Sequence, residues 1–377
     1  MNPQELGPEA AGSRVQQPAY NDDLGGDLFE RHCLGTTAET VAGVQLQDGM
    51  IPWFPGGHCD PWNHVEAAMA LLVAGYRVEA ERAFQWLAST QLPDGSWYNY
   101  YLESGIEDYR KDTNVCAYVA TGVWFHYLHT KDAGFLASMW PVVARAIDFV
   151  LAWQCSDGTV LWSLEPDGTP GSYALLTGSS SIYLSLRCAV ACAEQLGLER
   201  PEWELSAGRL RHAILRGDEL FEPKRNYAMD WYYPVLSGAV RATKGIERIR
   251  ERWMEFVMGG LGVRCVSERP WVTAAETAEC VIALDCLGLS GEARALFETT
   301  RGLRCEDGSY WTGLVFPEQI PFPGGERSTY TAAAVVLAAN ALAGQGASSG
   351  LFRGEGLPDL PDLSASVGAV ADPAQQP

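Results

Sequence analysis

The feature that most constrains this chain is a turn that recurs between long apolar-periodic segments. Gln45-Leu-Gln-Asp48-Gly49 leads to Trp53, and Gln91-Leu-Pro-Asp94-Gly95-Ser-Trp97 follows. Gln154-Cys-Ser-Asp157-Gly158 with Trp162 and Arg304-Cys-Glu-Asp307-Gly308-Ser-Tyr-Trp311 come later. The Asp-Gly pairs stand 46, 63 and 150 residues apart, and the last interval has room for about three units of fifty. Between the turns, apolar residues fall at helical spacing over about 62–75, 78–90, 113–130, 135–154, 179–196, 203–216, 246–258, 272–287, 291–302 and 328–343. Strand signals are scarce, and the connecting segments carry the Gly, Pro and Asp of loops. A repeat of helix pairs buries its apolar faces by stacking on its neighbours, so the expected fold is all-α, an (α/α)6 toroid of about six helical hairpins. In this scheme each Asp-Gly turn ends a helix by supplying a left-handed residue, and Asp94, Asp157 and Asp307 make turns rather than do chemistry.

The two ends differ from the rest. Residues 1–20 and 345–377 are rich in Gly, Pro, Ala and Ser without periodicity and read as mobile tails. No linker interrupts residues 21–344, which read as one domain with enough apolar residues for a sizeable core. The opening MNPQELGPEAAGSRVQQPAY lacks the basic and apolar regions of a secretion signal, and no apolar run suggests a membrane span, so the expected location is the cytoplasm. Ten cysteines without a CxxC pair fit reduced thiols packed in a core. A formal charge of -20 argues against nucleic acid and anionic membranes as partners and favours a neutral substrate. Homo-oligomerisation is left open by the sequence.

One insertion is not explained by the repeat. The loop GGHCDPWNH brings His58, Cys59, Asp60, Trp62, Asn63 and His64 together ahead of an amphipathic helix. His58, Cys59, Asp60 and His64 invite a zinc reading, but their crowding on one loop does not suit a closed four-ligand site, and no metal or other cofactor is expected. Asp60 before Pro61 has the pattern of an N-cap followed by proline at the first helical position. A capping carboxylate can also face a cavity, and Trp53, Trp62, Asn63 and His64 around it are what a sugar subsite uses.

Two resemblances bear on function. The Q-x-x-D-G-x-W turns resemble the QW repeats of terpene cyclase and protein prenyltransferase toroids. Asp112-Thr113-Asn114, then Trp124, Tyr127-Leu-His129-Thr-Lys-Asp132, Phe135-Leu136 and Trp140-Pro141, is similar to a run of the six-hairpin glycosidases. HCDPWNHVEAAMAL, TGSSSIYLSLRCA and AMDWYYPV resemble actinobacterial proteins often labelled prenyltransferase, a group that includes the mycobacterial methylmannose polysaccharide hydrolases. A terpene cyclase is expected to carry an Asp-x-Asp-Asp acid cluster, which this chain lacks, and a prenyltransferase needs dispersed zinc ligands.

The glycosidase resemblance implies hydrolysis with inversion, by a general acid and a general base on either side of the scissile bond. Asp60 and Glu276 are the expected catalytic pair, Asp60 as acid and Glu276 as base by the order common in such toroids, with the reverse assignment left open by the sequence. Thr273 to Glu276 also has capping-box spacing, so Glu276 has a structural reading beside the catalytic one. The expected substrate contacts are Trp53, His58, Trp62, Asn63, His64, Asp112, Asn114, Asp230, Trp231, Tyr232, Trp271, Glu279 and Trp311. The closer resemblance implies an endo-α-mannosidase acting on an O-methylated α-1,4-mannan, a neutral polysaccharide. A cyclase or prenyltransferase of the same architecture, and a toroid that binds glycans without turnover, are the alternatives.

Overall fold

The structure is a computed structural model that describes residues 32–359. The expected tail over residues 1–20, and residues 360–377 of the other, lie outside the described residues. In chain order the main helices are α1 (Leu34–Val44), α2 (Pro61–Val73), α3 (Arg77–Thr90), α4 (Thr113–Ala117), α5 (Val119–Thr130), α6 (Ala133–Leu151) and α7 (Leu176–Gln195). They continue with α8 (Pro201–Arg216), α9 (Ala228–Leu236), α10 (Ala242–Glu251), α11 (Trp253–Phe256), α12 (Ala274–Cys286), α13 (Ser290–Glu298) and α14 (Thr329–Ala343).

Six of these positions form a closed inner ring, in which α2 packs on α5, α5 on α7, α7 on α9, α9 on α12, α12 on α14 and α14 back on α2. Outer helices α3, α6, α8, α10 and α13 each pack on the inner helix that precedes them, while α1 covers α14. The first and last described helices therefore close the (α/α)6 ring. Sequence sets the layer: α14 (TYTAAAVVLAANALA) has no charged residue and is covered on both faces, whereas α3 carries Glu79, Glu81 and Arg82 on its outer side.

The repeated turn acts differently from the expectation. Helices α1 and α3 end at Gln45 and Gln91, which are extended, three residues before the Asp-Gly pair. Gln45 Nε2 then donates to the carbonyls of Gly49 and Glu79, Gln91 Nε2 to those of Gly95 and Val142, and Gln154 Nε2 to those of Gly158 and Ser206. Each glutamine thus clamps its own turn to the next outer helix. Gly95, at φ 92°, sits so close that a Cβ would lie 2.2 Å from the Arg145 carbonyl oxygen. In the fourth turn Arg304 replaces glutamine and reaches the Cys33 carbonyl and the Thr36 hydroxyl at the start of α1, fastening the ring closure. The aspartates do make the turns: Asp48, Asp94, Asp157 and Asp307 each accept the backbone N–H two residues on.

Three further features depart from expectation. Loops after α11 and α13 form a five-stranded antiparallel sheet of β5 (Val257–Met258), β6 (Gly262–Arg264), β7 (Trp271–Thr273), β8 (Gly313–Val315) and β9 (Ile320–Phe322). Two small antiparallel pairs are separate from it, β1 (Tyr100–Leu102) with β2 (Gly105–Asp108) and β3 (Lys111–Asp112) with β4 (Ser163–Leu164). Strands of two to four residues are too short to show an alternating pattern. Residues 345–359, expected as tail, pack on the ring: Leu351 and Phe352 are buried and Arg353 pairs with Asp285 at 2.6 Å. Finally, α6 is long and apolar enough by length and composition to cross a membrane, but its Leu136, Val143, Ile147 and Val150 are buried in the toroid.

Candidate active site

The expected carboxylates stand at helix starts: Asp60 caps α2, Asp112 caps the short α4 ahead of α5, and Asp230 and Glu276 lie in the first turns of α9 and α12. The loop before α2 is tied to β1 by paired backbone hydrogen bonds between Cys59 and Tyr101 at 2.8 Å. That anchorage fixes Asp60, which is 3% exposed. Its Oδ1 accepts the Asn63 N–H at 3.0 Å, and its Oδ2 accepts both Trp53 Nε1–H and Asn63 Nδ2–H at 2.7 Å. The capping reading is therefore correct, yet one carboxyl oxygen is held by two side chains that face a cleft. Burial raises the Asp60 pKa despite these donors, which favour the ionised form.

The cleft, of about 350 Å³, is walled by Trp53, Trp62, Asn63 and Glu66 on one side and by Thr273, Glu276 and Glu279 on the other. Phe322 and Pro323 at the edge of the sheet, with Thr312, Glu326 and Tyr330, complete it. Glu276 is part-exposed, and its Oε2 accepts the Thr273 hydroxyl. This is not a capping box, because the Thr273 side chain caps no amide and turns to the carboxylate instead. Burial again raises the Glu276 pKa. Glu279, one turn on, accepts the Tyr232 hydroxyl, and burial and the nearby Glu66 push its pKa well up.

Three expected contacts hold polar atoms that no protein group satisfies: Trp62 Nε1, His58 Nε2 and Asn114 Oδ1 are buried and unpartnered. Buried polar atoms in folded proteins are mostly satisfied by protein groups or ordered water. His58 packs between Trp53 and Tyr100, with centroids 4.4 and 4.6 Å away, and its Nδ1 lies 3.0 Å from Glu107. Asp112 Oδ1 accepts the N–H groups of Asn114 and Val115, and its Oδ2 accepts Trp162 Nε1–H. Burial pushes Asp112 up to about 6.

Other expected contacts lie elsewhere. His64 accepts the Ile51 N–H on Nδ1 and donates from Nε2 to Ala83, so both ring nitrogens are occupied in the core, and burial lowers its pKa to about 4. Trp231 donates to the carbonyls of Arg248 and Ile249 behind the inner ring, and Tyr232 is fully buried as the donor to Glu279. These three are corrected from substrate contacts to supports. Asp230 accepts the Thr177 hydroxyl at 2.6 Å and opens to a separate cavity of about 510 Å³ beside Asp218 and Phe221. Trp271 stacks on Phe322 at 4.6 Å, and Trp311 lies under the Arg327 guanidinium. Among the described residues no three His, Cys, Asp or Glu side chains gather as a metal site.

Sequence reasoning missed Glu66, Thr312, Phe322, Glu326 and Tyr330. Glu66 alone carried a signal, as a carboxylate within the otherwise apolar run VEAAMALLV.

No family model matches the chain. It is 51% identical over 322 residues to the MMP endo-(1,4)-3-O-methyl-alpha-D-mannosidase of Mycolicibacterium hassiacum, covering 85% of this chain and 89% of that protein. Among solved structures, a glycosidase in complex with glucose matches 84% of this chain and 98% of its own with TM-score 0.65 and 13% identity. A GH63 mannosylglycerate hydrolase from Thermus thermophilus matches 80% and 99%, with TM-score 0.60 and 13% identity. A D-mannose isomerase matches 85% and 98%, with TM-score 0.63 and 11% identity, so these likenesses establish the toroid alone. Identity at this level across most of both chains carries the family itself: the chain belongs to the family of the MMP endo-(1,4)-3-O-methyl-alpha-D-mannosidase.

Proposed function

We propose that the protein is an inverting endo-α-mannosidase that cuts a 3-O-methylated α-1,4-mannan, methylmannose polysaccharide, with Asp60 and Glu276 as the catalytic pair. The observation that carries this reading is the lining of the cleft: four carboxyl groups, Glu66, Glu276, Glu279 and Glu326, stand among Trp53, Trp62, Met229, Phe322 and Pro323, and among the described residues no Lys or Arg lines it. A diphosphate would meet repulsion there, whereas a neutral sugar finds acceptors for its hydroxyls and apolar surface for ring faces and methyl groups. The 51% identical mannosidase supports the choice of sugar.

In the reaction a water attacks the anomeric carbon while Glu276 takes its proton. The bond from that carbon to the glycosidic oxygen breaks, and Asp60 gives its proton to the leaving oxygen. Burial raises the pKa of Asp60 and Glu276 alike, and Asp60 is assigned as the acid by the order common in six-hairpin glycosidases. Glu276 suits the base role because it opens to the cleft and its carboxylate is oriented by Thr273. Ten free cysteines fit a reducing compartment, and we place the reaction in the cytoplasm.

Purified protein incubated with methylmannose polysaccharide is expected to release shorter oligosaccharides whose new reducing ends first appear as the β-anomer by proton NMR. Release of the α-anomer contradicts inversion, and no release contradicts the function.

A further inference from the structure

The mechanism uses the cleft alone, yet a second cavity adjoins it. Pro323 and Glu326 line both the cleft and a groove of about 470 Å³, whose far side is formed by the end of α1 and the fourth Asp-Gly turn. Trp53 and Tyr330 line the cleft, and the residues next to them, Phe54 and Thr329, line the groove. Thr329 fastens the wall between the two spaces, because its N–H donates to the Trp53 carbonyl at 2.7 Å and its hydroxyl donates to the Pro52 carbonyl at 2.8 Å.

The sill where the two spaces meet is bare. The Glu326 N–H donates to the Pro323 carbonyl at 2.8 Å, which closes a turn over Gly324 and Gly325. Both glycines have positive φ, 53° and 83°, and they put no side chain on the sill. A Cβ would meet nothing within 4 Å at Gly324 and only the Trp311 ring, 3.9 Å away, at Gly325. Glu326 is held beside the turn by Thr312, whose hydroxyl donates to Oε1 at 3.0 Å and whose N–H donates to the Glu326 carbonyl at 3.0 Å.

Beyond the sill the chemistry suits the same kind of ligand as the cleft. Val44, Phe54 and Pro55 give apolar surface, and the Phe54 ring rests on Gly57, where a Cβ would lie 2.6 Å from it. Asp307 and Arg327 pair at 2.7 Å, so they present acceptors and donors to hydroxyl groups with no net charge between them. Sites for small molecules span about 300 to 1,000 Å³, so the cleft of about 350 Å³ is small for a polymer that an endo-acting enzyme holds on both sides of the cut.

We infer that the groove is a remote subsite for further sugar units of the chain being cut, with Phe54 as its platform and the Asp307–Arg327 pair as its hydroxyl contact, and that it makes the enzyme favour long substrates. This rests on the glycosidase reading. Binding of remote units across the bare sill helps to hold the scissile bond in place between Asp60 and Glu276. Phe54 touches no reacting atom and acts on chain length alone.

The test is kcat/KM over a series of 3-O-methylated α-1,4-manno-oligosaccharides of increasing length, for wild type, Phe54→Ala and Phe54→Tyr. In wild type the value is expected to rise with length and then level off. In Phe54→Ala the advantage of the longest chain over the shortest one cut is expected to shrink about tenfold, and Phe54→Tyr, which keeps an aromatic platform, is expected to restore it. A wild type without length dependence, an undiminished advantage in Phe54→Ala, or a Phe54→Tyr that behaves like Phe54→Ala overturns the inference. Calorimetric titration keeps this result apart from the glycosidase reading. If wild type cuts none of the series, the glycosidase reading fails, and binding of the longest oligosaccharide still judges the groove. About tenfold weaker binding by Phe54→Ala then supports the subsite, and equal affinity or no binding overturns it.

Discussion

Trp53 donates its indole N–H to Asp60 Oδ2 at 2.7 Å, while its ring packs against Tyr330 and His58 with centroids 4.8 and 4.4 Å away. One aromatic side chain therefore both walls the cleft and holds the proposed acid. Trp53→Phe keeps the wall and removes the donor. Because the lost bond favoured ionised Asp60, the high-pH limb of the kcat profile should move up, and kcat should fall roughly tenfold or more. An unmoved limb in steady-state measurements would detach Trp53 from the acid.

The Thr273 hydroxyl aims the Glu276 carboxylate. Thr273→Val keeps the shape of the side chain and leaves that oxygen without its donor. kcat should drop by roughly tenfold with little change in melting temperature. Initial rates together with calorimetry check this, and unchanged kcat would assign the contact to packing alone.

His64 gives a stability signature. Its pKa falls to about 4 in the fold, so between there and the ordinary value near 6.5 the unfolded chain binds a proton that the folded chain does not. Stability from this group is complete above pH 6.5 and is lost as pH falls toward 4, roughly 3 kcal/mol in all. Urea unfolding across this range should show the slope in wild type and a flatter one in His64→Gln, even though the variant is less stable throughout.

The turn clamps separate a clash from backbone strain. Gly95 and Gly56 both have positive φ, 92° and 75°, but a Cβ at Gly95 meets the Arg145 backbone whereas one at Gly56 meets nothing within 4 Å. Gly95→Ala should cost about 3 kcal/mol or more and Gly56→Ala about 1 kcal/mol, measured by denaturant unfolding. Equal costs would mean that the turn does not dock as described.

Much of the fold was legible because the long helices repeat one apolar spacing and the Asp-Gly turns mark the units. Helix α1 escaped because LGTTAETVAGV mixes threonine and small residues, and α9 because AMDWYYPVL is short and contains Pro234. The sheet escaped because pairing between distant loops, such as Trp271 opposite Val315, leaves no local pattern. The candidate site was half legible for the same reason. Asp60 stood out in an irregular insertion, but whether Thr273 capped a helix or addressed Glu276 depended on a side-chain rotation that spacing cannot encode. His64 looked like a cleft residue and became a core one because its partners, Ile51 and Ala83, come from the preceding loop and from α3. Glu66 was passed over because a single carboxylate in an apolar run shows its place only when α12, α14 and the sheet complete the cleft around it.

Catalysis by Asp60 and Glu276 as a pair is tested by one measurement: product release from methylmannose polysaccharide by wild type, Asp60→Asn and Glu276→Gln, each confirmed as folded by circular dichroism. Shorter oligosaccharides from wild type and a loss of roughly a thousandfold or more in rate for either variant are expected. Turnover within about tenfold of wild type by either one would contradict the pairing.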